Sequence, residues 1–152
     1  MKKLLLSAIL FTCVSVVFGQ KRVAHVKTAE EKLNEQYCSG LFNTIEGTYF
    51  DMLNDNTALG AKSYLNILDW LQGRVAGLQV YTLKNNDRLP LIRNSIAGIY
   101  VDEVYRDPDY LNLLPVSDIA MIKIIKGPFL GGFDSPGGAI AIYTVGTDDD
   151  DE

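Results

Sequence analysis

The chain has 152 residues, a formal net charge of −5, one histidine and two cysteines, which bounds it to one domain with a single modest core. The acidic balance argues against nucleic acid and anionic membrane surfaces as partners. His25 lies near the N-terminus, so neither a Ser/His/Asp triad nor a Cys/His pair has a base, and a zinc site lacks ligands.

Two lysines, Lys2 and Lys3, precede an apolar run from Leu4 to Phe18 and the small Gly19. This pattern predicts a secretory signal peptide over residues 1–19, cut before Gln20, and so an exported, periplasmic protein. The run is shorter than the roughly 20 residues that span a bilayer. Thr12 stands where lipoprotein processing at Cys13 requires a small residue. Cleavage leaves Cys38 as the only cysteine, a buried small hydrophobe or a thiol bonded to a partner, and excludes an internal disulfide. It also removes two cations and no acid, making the mature chain more acidic.

Residues 20–27 are basic and aperiodic, as a flexible leader is. The ordered domain is expected over 28–146. "TAEE" places Thr28 three residues before Glu31, the spacing of a capping box, and Leu33, Tyr37 and Leu41 then share a helical face, with Gly40 as the stop. Residues 42–63 mix apolar residues with Asn, Asp and Gly and predict short irregular pieces. Ser63 reads as the cap of a second helix carrying Tyr64, Ile67, Leu71 and Val75 on one face and ending at Gly77, before a strand at "LQVYTL". "KNNDR" predicts a turn, "LPLIR" a short strand and "GIYVDEVY" a longer one that runs through Asp102 and Glu103. Asp107 reads as a cap and Pro108 as the first position of one or two helical turns that Pro115 closes. Two apolar strands follow, from Ile119 to Ile125 and from Ala139 to Val145, joined by a glycine-rich bend. The terminal acids, 147–152, form a solvated tail without the spaced oxygens of a calcium loop. The sum is an α+β domain, a small mixed sheet with packed helices.

Little in this pattern can do chemistry. Asp102 and Glu103, adjacent on one strand, point to opposite faces and cannot serve one substrate as a carboxylate pair. The bend "GPFLGGFDSPGG" lacks the lysine and following hydroxyl of a phosphate loop, and its glycines serve a tight path between strands. No cofactor and no enzymatic activity are expected.

Several stretches, in order and at natural spacing, resemble the plug domain of TonB-dependent outer-membrane transporters of the glycan-importing kind. "LQGRVAGLQV", with Gly73, Arg74 and Gly77, is similar to the family's "LxGRVAGVxV" element. Ile92 and Arg93 resemble its "IRG" element, with Asn94 in place of glycine, and Tyr100 to Glu103 its "YVVDG" strand, again without the glycine. Asp118, Ile119, Ile122, Ile124, Lys126 and Gly127 resemble "DIESIEVLKG", and Gly137, Gly138, Ile140, Ile142 and Thr144 the final "GxxGGxIxIxT". The resemblance runs from about 64 to 144. A transporter continues from its plug into amphipathic strands that close a barrel, whereas this sequence ends at Glu152 and carries no energy-coupling box in the leader, so a separate plug is expected. It resembles the plug subunit of the type IX secretion translocon, which implies a soluble periplasmic protein, peripheral to the outer membrane, that occludes a large barrel while no substrate occupies it. The resemblance implies contacts with the barrel through Arg74 and Arg93, and the apolar Phe129, Leu130 and Phe133 of the bend are further contact candidates or a cover for the domain's own core. For the arginines the alternatives are a helix cap at Arg74 and pairing within the domain at Arg93. Two other functions fit the same residues: a periplasmic ligand-binding or adaptor module, and the plug half of a split importer.

Overall fold

The computed structural model describes residues 27–43, 46–54, 56–128 and 135–146. The signal peptide with Cys13, the leader up to His25, the centre of the bend with Phe129, Leu130 and Phe133, and the acidic tail lie outside the described residues.

Among the described residues, three short helices and seven strands form an α+β fold: α1 (Ala29–Tyr37), β1 (Thr48–Asp51), α2 (Asn56–Leu59), α3 (Ile67–Leu71), β2 (Leu78–Thr82), β3 (Arg88–Ile92), β4 (Ser95–Val101), β5 (Val104–Arg106), β6 (Ile119–Lys126) and β7 (Gly138–Thr144). Single 3-10 turns cover Gly60–Ser63, Pro108–Asn112 and Val116–Asp118. The sheet order is β1-β6-β7-β4-β3-β2, with β5 folded back on β4. Pairings are antiparallel except β4 with β7, which run parallel from Ala97 beside Gly138 to Val101 beside Ile142.

Alternation along the central strands divides the apolar residues between two faces. Ile122 and Ile124 of β6, Ile140 and Ile142 of β7, and Ile99 and Val101 of β4 pack with Ile67, Leu68, Trp70, Leu71, Leu111 and Val116 in the main core. Trp70 meets the Phe50 ring edge-on at 5.4 Å. On the opposite face, Met121, Ile125, Ala139, Ala141, Tyr143 and Tyr100 pack with Cys38 and Phe42, and α1 lies over them through half-buried Leu33 and Tyr37. Each face of the sheet is therefore covered by the domain's own chain.

The capping box is present: Thr28 Oγ1 accepts from the Glu31 N–H at 3.2 Å while the Glu31 carboxylate accepts from the Thr28 N–H at 2.8 Å. α1 ends at Tyr37 rather than Gly40, so Leu41 leaves the helical face and is exposed. Ser63 does not cap α3; its hydroxyl donates to the Gly60 carbonyl and closes the preceding 3-10 turn. The cap is Asn66, whose Oδ1 accepts from the Leu68 N–H at 2.9 Å, and α3 stops at Leu71, so Gly77 lies beyond the helix and Val75 reaches the core from a loop. Pro108 begins a 3-10 turn as its position predicts, but the Asp107 side chain makes no capping bond to it. β1, four residues within the stretch expected to be irregular, completes the sheet edge.

The strand expected through Asp102 and Glu103 is instead a hairpin turn. Val101 faces Val104, and the two residues between them have φ of 49° and 65°. Arg93 and Asn94, φ 53° and 63°, form a second such turn between Ile92 and Ser95. Positive φ at both central residues is the geometry that follows strand twist in two-residue hairpins. The positions where the family elements carry glycine, Asn94 and Glu103, are thus left-handed residues here.

Candidate partner-binding end of the sheet

The strand registers fix which loops share an end. The starts of β1, β2, β4 and β7 and the ends of β3 and β6 lie together, as do, at the other end, Asp51, the 102–103 turn, Asp118 and Thr144. The first end therefore collects the loop of Gly73, Arg74 and Gly77, the Arg93–Asn94 turn, and both feet of the bend at Gly127 and Gly137. Asp118 sits at the opposite end, where its carbonyl accepts from the Val145 N–H at 2.8 Å.

The feet of the bend are held by backbone. Gly127 N–H donates to the Gly137 carbonyl at 3.2 Å, and Gly137 N–H to the Ile96 carbonyl at 2.9 Å. Ser135, buried, sits against Gly98 of β4, where a side chain would leave it no room. The bend thus departs from and returns to a fixed platform beside the Arg93–Asn94 turn.

The two arginines are held differently. Arg74 Nη1 donates to the Trp70 carbonyl at 2.6 Å and its guanidinium stacks 4.7 Å from the Trp70 ring, with the Tyr64 ring at 6.0 Å. It caps its own helix while its outer N–H groups stay exposed. Arg93 is tied by its backbone, which donates to the Gly77 carbonyl at 2.9 Å, and its exposed guanidinium has no ion pair or hydrogen bond among the described residues. Sequence reasoning assigned no role to Lys126, which ends β6 at the same end, half-buried and without a carboxylate partner among the described residues. The carboxylates Glu30, Glu31 and Glu46 line a cleft with Thr28 and Tyr49 along the β1 edge, the opposite edge from both arginines. The one cation–carboxylate pair in the sheet region among the described residues, Arg88 to Asp69 at 2.7 Å, belongs to the other end, where β3 starts. An uncompensated guanidinium on a rigid turn is a group that a partner's carboxylate can bind bidentately.

Asp102 and Glu103 have structural roles. Asp102 accepts from the Thr144 N–H and hydroxyl, each at 2.9 Å. Glu103 accepts from the Gly40 and Leu41 N–H groups at 3.0 and 3.1 Å and from the Tyr143 hydroxyl at 3.2 Å. Burial raises the Tyr143 phenol far above its ordinary range, and the Cys38 thiol is also pushed up by burial. Cys38 is 1% exposed and unpaired with any other cysteine among the described residues, a packed thiol rather than a reactive one.

Neither a family model nor a curated protein matches the sequence. Solved structures do. Two crystal structures of the ferric enterobactin receptor of Pseudomonas aeruginosa superpose with TM-scores of 0.51 and 0.50, at 15% and 17% identity, over 79% and 64% of this chain. The fold is that of a TonB-dependent receptor plug. The chain corresponds to less than a fifth of those receptors' length, 19% and 17%. The RagAB peptide importer in its closed-closed state is also similar, with a TM-score of 0.49, 22% identity and coverage of 67% of this chain and 12% of that one. No helix among the described residues is long and apolar enough to cross a membrane, which says nothing of a β-barrel.

Proposed function

We propose that this plug-fold domain is a separate periplasmic subunit, residues 28–146 after export, that occludes the pore of a large outer-membrane β-barrel from its periplasmic side. The carrying observation is the Arg93 guanidinium, exposed and without a partner among the described residues, at the same end of the sheet as Arg74 and the feet of the bend. Coverage of both sheet faces by its own chain supports a domain that needs no fused barrel to complete its core. A wide water-filled barrel leaks when empty, and an occluder that cargo can displace must bind through a limited, polar contact set. Arg74, Arg93 and the bend residues Phe129, Leu130 and Phe133 are the groups we assign to that contact. The barrel we name is the type IX secretion translocon, on the sequence resemblance alone.

The test is to tag the C-terminus, crosslink gently solubilised outer membranes and identify what is recovered. A single large barrel protein on its own chain, lost with Arg93→Glu while that variant unfolds in urea like wild type, is the expected result. Recovery of monomer alone from the soluble periplasm overturns the proposal. The plug half of a split importer is the second reading, favoured by the receptor structures that share the fold; nutrient-specific growth loss on deletion would select it.

A further inference from the structure

We propose that residues 28–43 form a releasable strap over the second face of the sheet, clasped by Glu103 and Lys123, which opens as a unit while the sheet stays folded. This inference stands whatever barrel, if any, the domain enters.

The strap is lightly anchored. α1 contains no fully buried residue, and the strap reaches the sheet through Cys38 and Phe42, with Leu33 and Tyr37 half-buried. Beside a Cys38–Tyr143 hydrogen bond and one from the Tyr49 hydroxyl, its polar attachments converge on two charged side chains. Glu103 takes the Gly40 and Leu41 amides. Lys123, in the middle of β6 and 0% exposed, donates its ammonium to the Phe42 carbonyl and to Asn34 Oδ1 at 2.6 Å, 5.0 Å from the Tyr49 ring centre. Asn34 in turn donates to the Asn43 carbonyl at 2.7 Å and accepts from the Tyr49 hydroxyl at 3.1 Å.

Neither charge meets an opposite charge at ion-pair distance among the described residues. Both are satisfied by neutral groups, most of them on the strap. Water solvates an ammonium and a carboxylate at least as well as amides and carbonyls do, so when the strap lifts, the rehydration of Lys123 and Glu103 offsets part of the lost apolar burial. The strands beneath have no such outlet, because their contacts are backbone ladders and aliphatic packing. Local opening of the strap is thus favoured over opening of the sheet. It uncovers Tyr100, Met121, Ile125 and Tyr143 around the Lys123 ammonium, so the state of the N-terminal segment decides whether this face is closed or presented.

Glu103 makes the device testable, since it sits at φ 65° where a glycine is unstrained. Glu103→Gly releases the clasp yet relaxes the turn, so strap and sheet respond in opposite senses, whereas a general loss of stability moves both together. In a chain carrying Cys13→Ser, Cys38 is the only thiol and reports strap opening. Its alkylation rate is followed against urea, beside hydrogen exchange of β6 and β7 amides. The expected result is labelling of Cys38 with a urea slope less than about half that of the sheet amides. Glu103→Gly then accelerates labelling about tenfold or more with sheet exchange unchanged or slower, and Glu103→Gln, which keeps one acceptor, falls between. Labelling that follows sheet exchange with the same slope in every variant overturns the proposal, as does wild-type labelling at the rate of a free thiol.

Discussion

Replacing Gly138 with alanine tests whether the meeting point of β4, β6 and β7 is fixed by backbone contact. Gly138 opens β7 at φ 118°, and a Cβ there overlaps the Ile125 carbonyl oxygen and stands 3.1 Å from the Gly127 nitrogen. Positive φ alone costs an alanine about 1–2 kcal/mol. The overlap is with main chain, so rotating a side chain relieves nothing and β7 must move off β6. That movement loosens the pairing of Lys126 with Gly138, the Gly127-to-Gly137 bond and the Gly137-to-Ile96 bond. At about 1 kcal/mol for each hydrogen bond, the substitution costs roughly 4–5 kcal/mol in all. Domains are stable by about 0.05–0.15 kcal/mol per residue, so this is a large share of the total. Gly73→Ala is the control, because its φ is 83° but nothing lies within 4 Å of its Cβ; it carries only the first cost, about 1–2 kcal/mol. Urea unfolding followed by the single tryptophan, Trp70, and by far-ultraviolet circular dichroism measures both. If the two alanines differ by less than about 1 kcal/mol, the junction yields more easily than these contacts allow and the reasoning is wrong.

Three further outcomes are expected. Folded Cys38 and Tyr143 keep their protons beyond their ordinary values of 9.0 and 10.0, so the stability they carry is present below those values and lost as pH rises above them. Burial depresses the Lys123 ammonium below its ordinary value, which acts in the opposite sense over the alkaline range, so the diagnostic is a difference between variants. The gap in urea midpoint between wild type and Tyr143→Phe should narrow from about pH 8 to about pH 10.5, and a constant gap would contradict the assignment. Asp69→Asn should lower stability by about 1 kcal/mol at low salt and less at high salt, because its two bonds to Arg88, 2.8 and 2.7 Å, lie in a half-exposed pair; a midpoint shift independent of salt would mean packing, not charge, is lost. Asn94→Gly should raise the urea midpoint by an amount worth about 0.5 kcal/mol, since glycine suits the second position of its turn better, and a lowered midpoint would show that the Asn94 side chain has a role not seen in the static structure.

What the sequence disclosed followed from local physics. The apolar runs of β6 and β7 are buried on both faces, so they read as strands without any knowledge of their neighbours. The Thr28–Glu31 box is complete within four residues. The errors arose where distant residues decide. Val75 continues the helical spacing of Ile67 and Leu71, but α3 has already ended, and the residue returns to the core from a loop. The alternation through Ile99 and Val101 seemed to continue past Glu103 because a glutamate gives no turn signal; the left-handed turn there is sustained by amides more than 60 residues earlier. Lys123 carries no sequence signal of its role, because the Asn34 and Phe42 groups that receive its ammonium lie more than 80 residues earlier. Of the candidate contact residues, Arg74 and Arg93 lie at one end of the sheet, but their difference, one guanidinium stacked and one without a partner among the described residues, depends on Trp70 and Tyr64 lying in front of the first.

The order of strands also governs when this domain can exist. Two of its interior strands, β6 and β7, are the last to appear in sequence, and β1 must wait for β6, with Thr48 pairing to Ile124. A chain emerging N-terminus first, from a ribosome or through a membrane, can form the β2-β3-β4-β5 meander from local contacts, but its sheet stays split until the residues near Thr144 are free. Until then Trp70 and Phe42 have only part of the faces they later pack on, the part that β4 supplies. Maturation is therefore a late, all-at-once event, and a chain cut short before β7 would emerge as two unjoined sheet fragments with bare edges, a substrate for chaperones and proteases.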